Sequence, residues 1–283
     1  MDWFERLTGF RETDEDTRTK LKVERSRLQS LINGKSYGVG ELELVSLQAL
    51  RERVKSAGGL PGRLKVSVVT GDARQMHQWP ENAGALFQVA SQFNLLEMVS
   101  PTVTPEHGVT GYQHDRTQGP ACAIAAGAAT IYRNYFALVD GCIGQTTERQ
   151  FDGLAHLGAT LGGALNQPVK ALWSMQNGYA LCTRAGLDAI SEHLSALQPE
   201  ELDILRSKLC IGIHREEVTD AAGEHRPLVS QAFCSALPVA YTRVPHSHWE
   251  GFASLVLQAA YEATMLAAVL NAKRGASNAV LLT

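Results

Sequence analysis

Several features that mark whole classes of protein are scarce or missing in this chain. Five cysteines occur in 283 residues, at Cys122, Cys142, Cys182, Cys210 and Cys234, and no two form a Cys-x-x-Cys. A scattered, odd set fits neither a disulfide framework nor a zinc knuckle, so the expectation is a reducing, cytoplasmic setting. Charge of one sign is missing too: 26 Lys and Arg face 29 Asp and Glu, for a formal net charge of −3. A dedicated nucleic-acid binder should carry a basic surplus, so nucleic acid is not an expected partner. No apolar run is read as reaching the ~18 residues a membrane span needs. The longest, Ala121–Thr130, is rich in small residues and is soon followed by Arg133. The start, Met1-Asp2-Trp3-Phe4-Glu5-Arg6, lacks an apolar stretch behind a basic head, so no secretory signal is expected. Internal repeats and low-complexity tracts are absent as well.

What remains is a chain that is 45% hydrophobic and 19% charged. That composition excludes a disordered chain, a coiled coil and a collagen-like repeat. It is long enough for one large α/β domain or two small ones with a real core.

The pattern changes near residue 60. Asp14–Ile32 has a helical rhythm, with Leu21, Leu28, Leu31 and Ile32 near one face and Asn33-Gly34 as a stop. Ser46 suits the N-cap of a helix reaching about Lys55. Residues 1–60 therefore read as an N-terminal helical extension, and Ala57-Gly58-Gly59-Leu60-Pro61-Gly62 as a linker. From residue 61 to 283, strands and helices alternate. Strands are expected at Leu64–Thr70, Ala85–Ser91, Cys210–His214, Val229–Leu237 and Asn278–Thr283, with a polar loop over Glu216–Pro227. Helices are expected at Pro120–Tyr132, Gly153–Leu161, Ala185–Leu197, Pro199 to about Lys208, and Glu250–Lys273. Gln176-Asn177-Gly178 between apolar runs signals a hairpin. This alternation predicts an α/β fold, a three-layer mixed sheet flanked by helices.

Three segments set polar residues against apolar strands. In the first, Gly71 lets the chain turn close to a ligand after Leu64–Thr70, and Asp72, beside Ala73, can accept from an exocyclic amine or ribose hydroxyl. The plainer reading is a strand-ending turn with Asp72 as a helix cap. In the second, Gln88 sits inside an apolar strand and needs partners if buried. Just beyond it cluster Ser91, Gln92, Asn94 and Glu97, where α/β folds place ligands, or where a polar loop simply ties itself together. In the third, the loop Gly108–Gln118 runs through Gly119-Pro120 into an apolar helix. The free amides of that first turn, with Gly119, could hold a diphosphate. Asp115 is the carboxylate best placed to activate water or hold a ribose, whereas Thr117 and Pro120 could equally cap a surface loop. Cys122 near the helix start is either a low-pKa nucleophile or a buried structural thiol. Arg133, Asn134 and Tyr135 follow and could support the site from the far end. His246-Ser247-His248 lacks the further ligands a metal site needs, so no metal is expected, and no cofactor either.

These segments together resemble macrodomains and microbial-type poly(ADP-ribose) glycohydrolases over roughly residues 64–283. Thr70-Gly71-Asp72-Ala73 is similar to the Gly-Asp that ends an early macrodomain strand, whose aspartate contacts adenine. Ala85–Asn94 resembles the following strand, which ends in an asparagine facing the distal ribose. Thr117-Gln118-Gly119-Pro120-Ala121-Cys122 stands in the place of the glycohydrolase Gln-Glu-Glu segment. Asn278–Thr283 resembles a strand that leads, in the family, into a Gly-rich diphosphate loop, so a ligand loop is expected beyond Thr283.

The resemblance implies an ADP-ribose-directed hydrolase acting on an ADP-ribosylated target. It implies ligand contacts at Gly71, Asp72, Ala73, Gln88, Ser91, Asn94, Thr117, Gly119 and Ala121. The family's paired glutamates are absent, since Gly119-Pro120 stands there. The triple-glycine loop that precedes them is absent as well. Catalysis would then fall to Asp115, Glu97 and Gln118. The alternatives are a non-catalytic ADP-ribose or nucleotide reader, and an unrelated α/β enzyme using Cys122.

Overall fold

The computed structural model describes residues 1–219 and 227–282. Asp2 and Thr13 cap the short helices α1 (Trp3–Thr8) and α2 (Asp14–Lys20) by accepting from Glu5 N and Asp16 N. The helix expected over Asp14–Ile32 stops at Lys20. Arg25 and Ser26 both take positive φ, 48° and 59°, and fold the chain into a meander of β1 (Leu21–Glu24), β2 (Arg27–Ser30) and β3 (Ser36–Gly38). The seven-residue spacing of Leu21 and Leu28 suits a helix face. It also suits a hairpin in which Val23 opposes Leu28 and Leu21 lies on the same face.

Next come β4 (Glu41–Ser46) and α3 (Leu47–Ala57), capped by Ser46 as expected. β4 pairs with β10 (Cys210–Val218) from Ser46↔Cys210 to Glu41↔Arg215. Of the segment expected as a helical extension, Glu41–Ser46 is thus an edge strand of the central sheet, and Leu21–Gly38 forms a three-stranded sheet of its own. Leu64–Thr70 forms no strand. Leu64, Val66, Val68 and Val69 are 69%, 79%, 97% and 62% exposed. Alternation supplies β-propensity, but a strand also needs an edge to pair with.

The chain then runs through α4 (Ala73–Met76), β5 (Leu86–Ser91), α5 (Gln118–Ala125) and α6 (Gly127–Tyr135). The single helix expected over Pro120–Tyr132 breaks at Ala126 (φ −115°, ψ 51°). A ribbon of β6 (Leu138–Val139) and β7 (Cys142–Ile143) precedes α7 (Ala155–Ala164) and α8 (Val169–Leu172). β8 (Trp173–Gln176) and β9 (Tyr179–Cys182) form the hairpin read from Asn177-Gly178, with φ of 45° and 81° at those residues. After α9 (Arg184–Ala196) and α10 (Pro199–Arg206), β10 is followed by β11 (Leu228–Ser235), α11 (Glu250–Lys273) and β12 (Val280–Leu281). Most of the expected polar loop Glu216–Pro227 lies outside the described residues, as does Thr283.

The five-stranded sheet has the order β12-β5-β11-β10-β4. β12, β5 and β11 are parallel, and β10 and β4 are antiparallel to their neighbours. Side chains alternate between its faces. Leu86 and Ala232 join the cluster built on α11 and α3, while Val89 and Phe233 pack against Cys122 of α5. The mixed α/β sheet flanked by helices is as expected. An 18-residue window of α11 has a mean hydropathy of 1.5, long and apolar enough by that measure to cross a membrane, contrary to the sequence expectation. Here Phe252, Leu255, Val256, Ala259, Ala260 and Ala263 are buried as the spine of the core.

Candidate functional site

The parallel strands β5 and β11 end side by side, with Ser91 in register with Ser235. Beyond Ser91 the chain turns sharply. Leu95 adopts φ 64°, Leu95 N donates to Gln92 O (2.9 Å), and Asn94 Oδ1 accepts from Leu96 N (3.1 Å). The turn places Glu97 at the floor of a cavity of about 190 Å³. Ser91, Gln92, Asp115, Thr117 and Gly119 line it together with Glu97, and Tyr179 and Tyr241 also contribute. Its position, outside the carboxyl ends of parallel strands, is where open α/β sheets bind ligands. Its volume suits one ring-sized group, since whole drug-sized ligands need about 300–1000 Å³.

Glu97 is 3% exposed, and its Oε1 has no hydrogen-bond partner among the described residues. Burial drives its pKa well above the usual carboxylate range; the Arg133 charge opposes that shift and the Asp115 charge adds to it. In its protonated form the Glu97 carboxyl is a proton donor at the cavity wall, and its Oε1 meets no protein partner there. Its backbone N donates to Tyr112 Oη (3.1 Å), which ties it to the following loop.

Asp115, half-buried, also lines the cavity. Its Oδ1 accepts from Thr117 N (2.8 Å) and Thr117 Oγ1 (2.7 Å). The threonine hydroxyl is thereby turned to Asp115 and makes no cap bond to α5. First-turn amides have no intrahelical acceptor, and Pro120 has no amide hydrogen to offer. Gly119 explains how closely α5 meets the strand end: a Cβ there would lie 2.1 Å from Ala90 O and 2.2 Å from Glu97 Oε2.

The structure brings together Ser91, Glu97, Asp115, Thr117 and Gly119 of the expected site residues, with Gln92 of the same polar cluster beside them. The others lie elsewhere. Gln118 points its amide at the edge of β5, donating to Gln88 O (2.9 Å) and accepting from Ala90 N (3.0 Å). β12 pairs only with Leu86 and Phe87, so Gln118 continues the edge that β12 leaves uncovered. Gln88 faces α11, its Nε2 3.4 Å from Thr264 Oγ1. Asn94 is buried in the turn and donates to Gln150 Oε1 (2.8 Å) rather than facing the cavity. Asp72 caps α4 through Gln75 N (2.9 Å), the plainer of its two readings, and Gly71 and Ala73 stay with it, away from the cavity. Ala121 is one residue past the lining. Cys122 is fully buried between Val89, Leu95 and Phe233, so nothing in the cavity meets its thiol.

Tyr179 and Tyr241 were not singled out in the sequence. Their rings lie 5.0 Å apart at 51°, and Tyr179 Oη donates to Met98 O. Tyr179 could have been found from its place directly after the Asn-Gly turn. Tyr241 carries no local signal, because only the tertiary fold brings Val239–Tyr241 to this mouth. Among the described residues no group of three His, Cys, Asp or Glu side chains is placed to hold a metal ion. Comparison with protein-family models, with curated proteins and with solved structures gave no match.

Proposed function

We propose that the chain is a hydrolase that removes ADP-ribosyl groups from a modified target. The observation that carries this reading is Glu97, a buried carboxyl whose Oε1 has no protein partner at the wall of a ring-sized cavity. In this reading the ribose enters the cavity and the rest of the nucleotide stays outside it. Glu97 gives its proton to the atom that leaves the anomeric carbon as that bond breaks. Asp115 takes a proton from the water that forms the new C–O bond, leaving free ADP-ribose and the unmodified target. The first-turn amides of α5 favour an anionic substrate group. Burial of Glu97 favours its protonated form, as the acid's part requires.

The test pairs calorimetric titration with ADP-ribose, using AMP and NAD as controls, with turnover of an ADP-ribosylated protein. Glu97→Gln should lower turnover by about 10²–10⁴-fold, the usual contribution of a positioned acid, and leave ADP-ribose binding nearly unchanged. Full turnover in Glu97→Gln, or no binding of ADP-ribose, overturns the reading. Selective binding with no turnover by the native chain would instead assign a non-catalytic reader. Gly119-Pro120, in place of paired glutamates, favours that second reading.

A further inference from the structure

We propose that Arg133 is a positioning residue for Glu97: from α6 it locks the turn that presents the carboxyl, and its charge steadies the carboxylate left after proton transfer. The second half rests on Glu97 acting as the acid in the reading above.

Two observations carry the first half. Arg133 is fully buried, and its Nε donates to Leu95 O (3.1 Å), the carbonyl of the left-handed residue two positions before Glu97. A bulky residue at positive φ is strained and persists only where its surroundings hold it. The guanidinium is itself held from several sides. Nη2 donates to Thr130 Oγ1 (3.1 Å), whose hydroxyl donates to Ala123 O (2.6 Å). Nη1 lies 3.3 Å from His214 Nδ1, which must accept because arginine only donates. The Phe233 ring lies beneath, 4.1 Å from Cζ to its centroid.

The second half follows from which charges are buried. Among the described residues, Glu97 is the one buried carboxyl group and Arg133 the one buried guanidinium or ammonium. An arginine keeps its proton even when buried. The fold therefore sets a permanent cation on the carbonyl two residues before an acid whose Oε1 has no partner, and the cation acts on that acid through space. The other groups facing Glu97 are Asp115 and Thr117 before α5, Tyr112 with Glu12 beyond it, and Tyr179 of β9. His214 of β10 stands behind Arg133 and is held neutral by burial and by the arginine charge. Of these, Arg133 is the group that favours the ionised carboxyl by charge.

The test needs no substrate. The Glu97 side-chain carboxyl is titrated by carbon-detected NMR, and amide exchange is followed over Leu95–Glu97, in the native chain, Arg133→Gln and Arg133→Lys. Arg133→Gln keeps a donor and loses the charge. It should raise the Glu97 midpoint by about one pH unit or more, the usual effect of an opposite charge at short range. Arg133→Lys keeps the charge and loses the fork, so the midpoint should stay near the native value while exchange at Leu95–Glu97 quickens. An unchanged midpoint in Arg133→Gln overturns the electrostatic half, and unchanged exchange in Arg133→Lys overturns the clamp. Failure of both variants to fold overturns the proposal and assigns Arg133 to the core alone. Loss of the hydrolase reading would leave these shifts standing, so the two failures are distinguishable.

Discussion

Replacing Gly119 with alanine sets two known effects against each other. Inside a helix, alanine is favoured over glycine by about 0.5–1 kcal/mol. At this position, however, the added Cβ would stand 2.1 Å from Ala90 O and 2.2 Å from Glu97 Oε2. The Glu97 carboxyl can swing away. Ala90 O is backbone in β5, and its strand is pinned by β11 and by Gln118. Overpacking a tight contact costs about 1–3 kcal/mol, and a backbone obstacle puts Gly119→Ala toward the upper end, about 2–3 kcal/mol. Gly163→Ala is the matched control, because Gly163 lies in α7 with nothing within 4 Å of the new Cβ. Urea unfolding of the two variants should place Gly163→Ala at or above the native stability. Gly119→Ala should lie about 2–3 kcal/mol below Gly163→Ala, because the helix term cancels between them. Equal stabilities would refute the packing of α5 onto the strand end, and with it the explanation of why glycine occupies this position.

Gln118→Ala should destabilise the fold by about 1–3 kcal/mol, because Gln88 O and Ala90 N lose their partner at the sheet edge; native stability with lost turnover would instead make Gln118 a catalytic group. His77 is buried against Phe87, and burial lowers its pKa from 6.5 to about 4 despite the backbone bond to Ala73. The unfolded chain therefore binds the proton first, so this group's contribution is complete above pH 6.5 and is lost as pH falls toward 4, on the order of 3 kcal/mol in all. Urea unfolding at pH 7 and pH 4.5 should show a smaller acid loss for His77→Gln than for the native chain, and equal losses would refute the assignment.

Local signals carried most of the architecture. Glu250–Lys273, the Asn177-Gly178 hairpin and the cap at Ser46 were all legible, because each depends on residues within a turn or two of one another. Leu64–Thr70 was misread for the converse reason. Its alternation is a local preference, whereas strand formation depends on a free edge elsewhere. The meander over Leu21–Gly38 was misread because Leu21 and Leu28 fit both periods, and only the positive φ at Arg25 and Ser26 decides between them. Within the site, the polar cluster past β5 was visible as a cluster. Which polar residues face the cavity was not, since Asn94 and Gln118 have the same chemistry as ligand contacts but spend it on backbone groups and, for Asn94, on Gln150. Arg133 stood in the sequence only as one of three residues that could support the site from the far end of a helix. Its part in the site depends on a carbonyl 38 positions earlier in the chain.

The order of the sheet also governs when it can be built. Its strand Leu86–Ser91 lies between segments found only at 228–235 and 280–281, and Glu41–Ser46 waits for Cys210–Arg215. At a synthesis rate of about 5–20 residues per second, an apolar strand would leave the ribosome roughly ten seconds or more before its first partner. Through that interval the early strands must be sheltered by local helices such as α3 and α5, or by a chaperone. Sheet closure joins distant segments of the chain, which places this fold among slow folders.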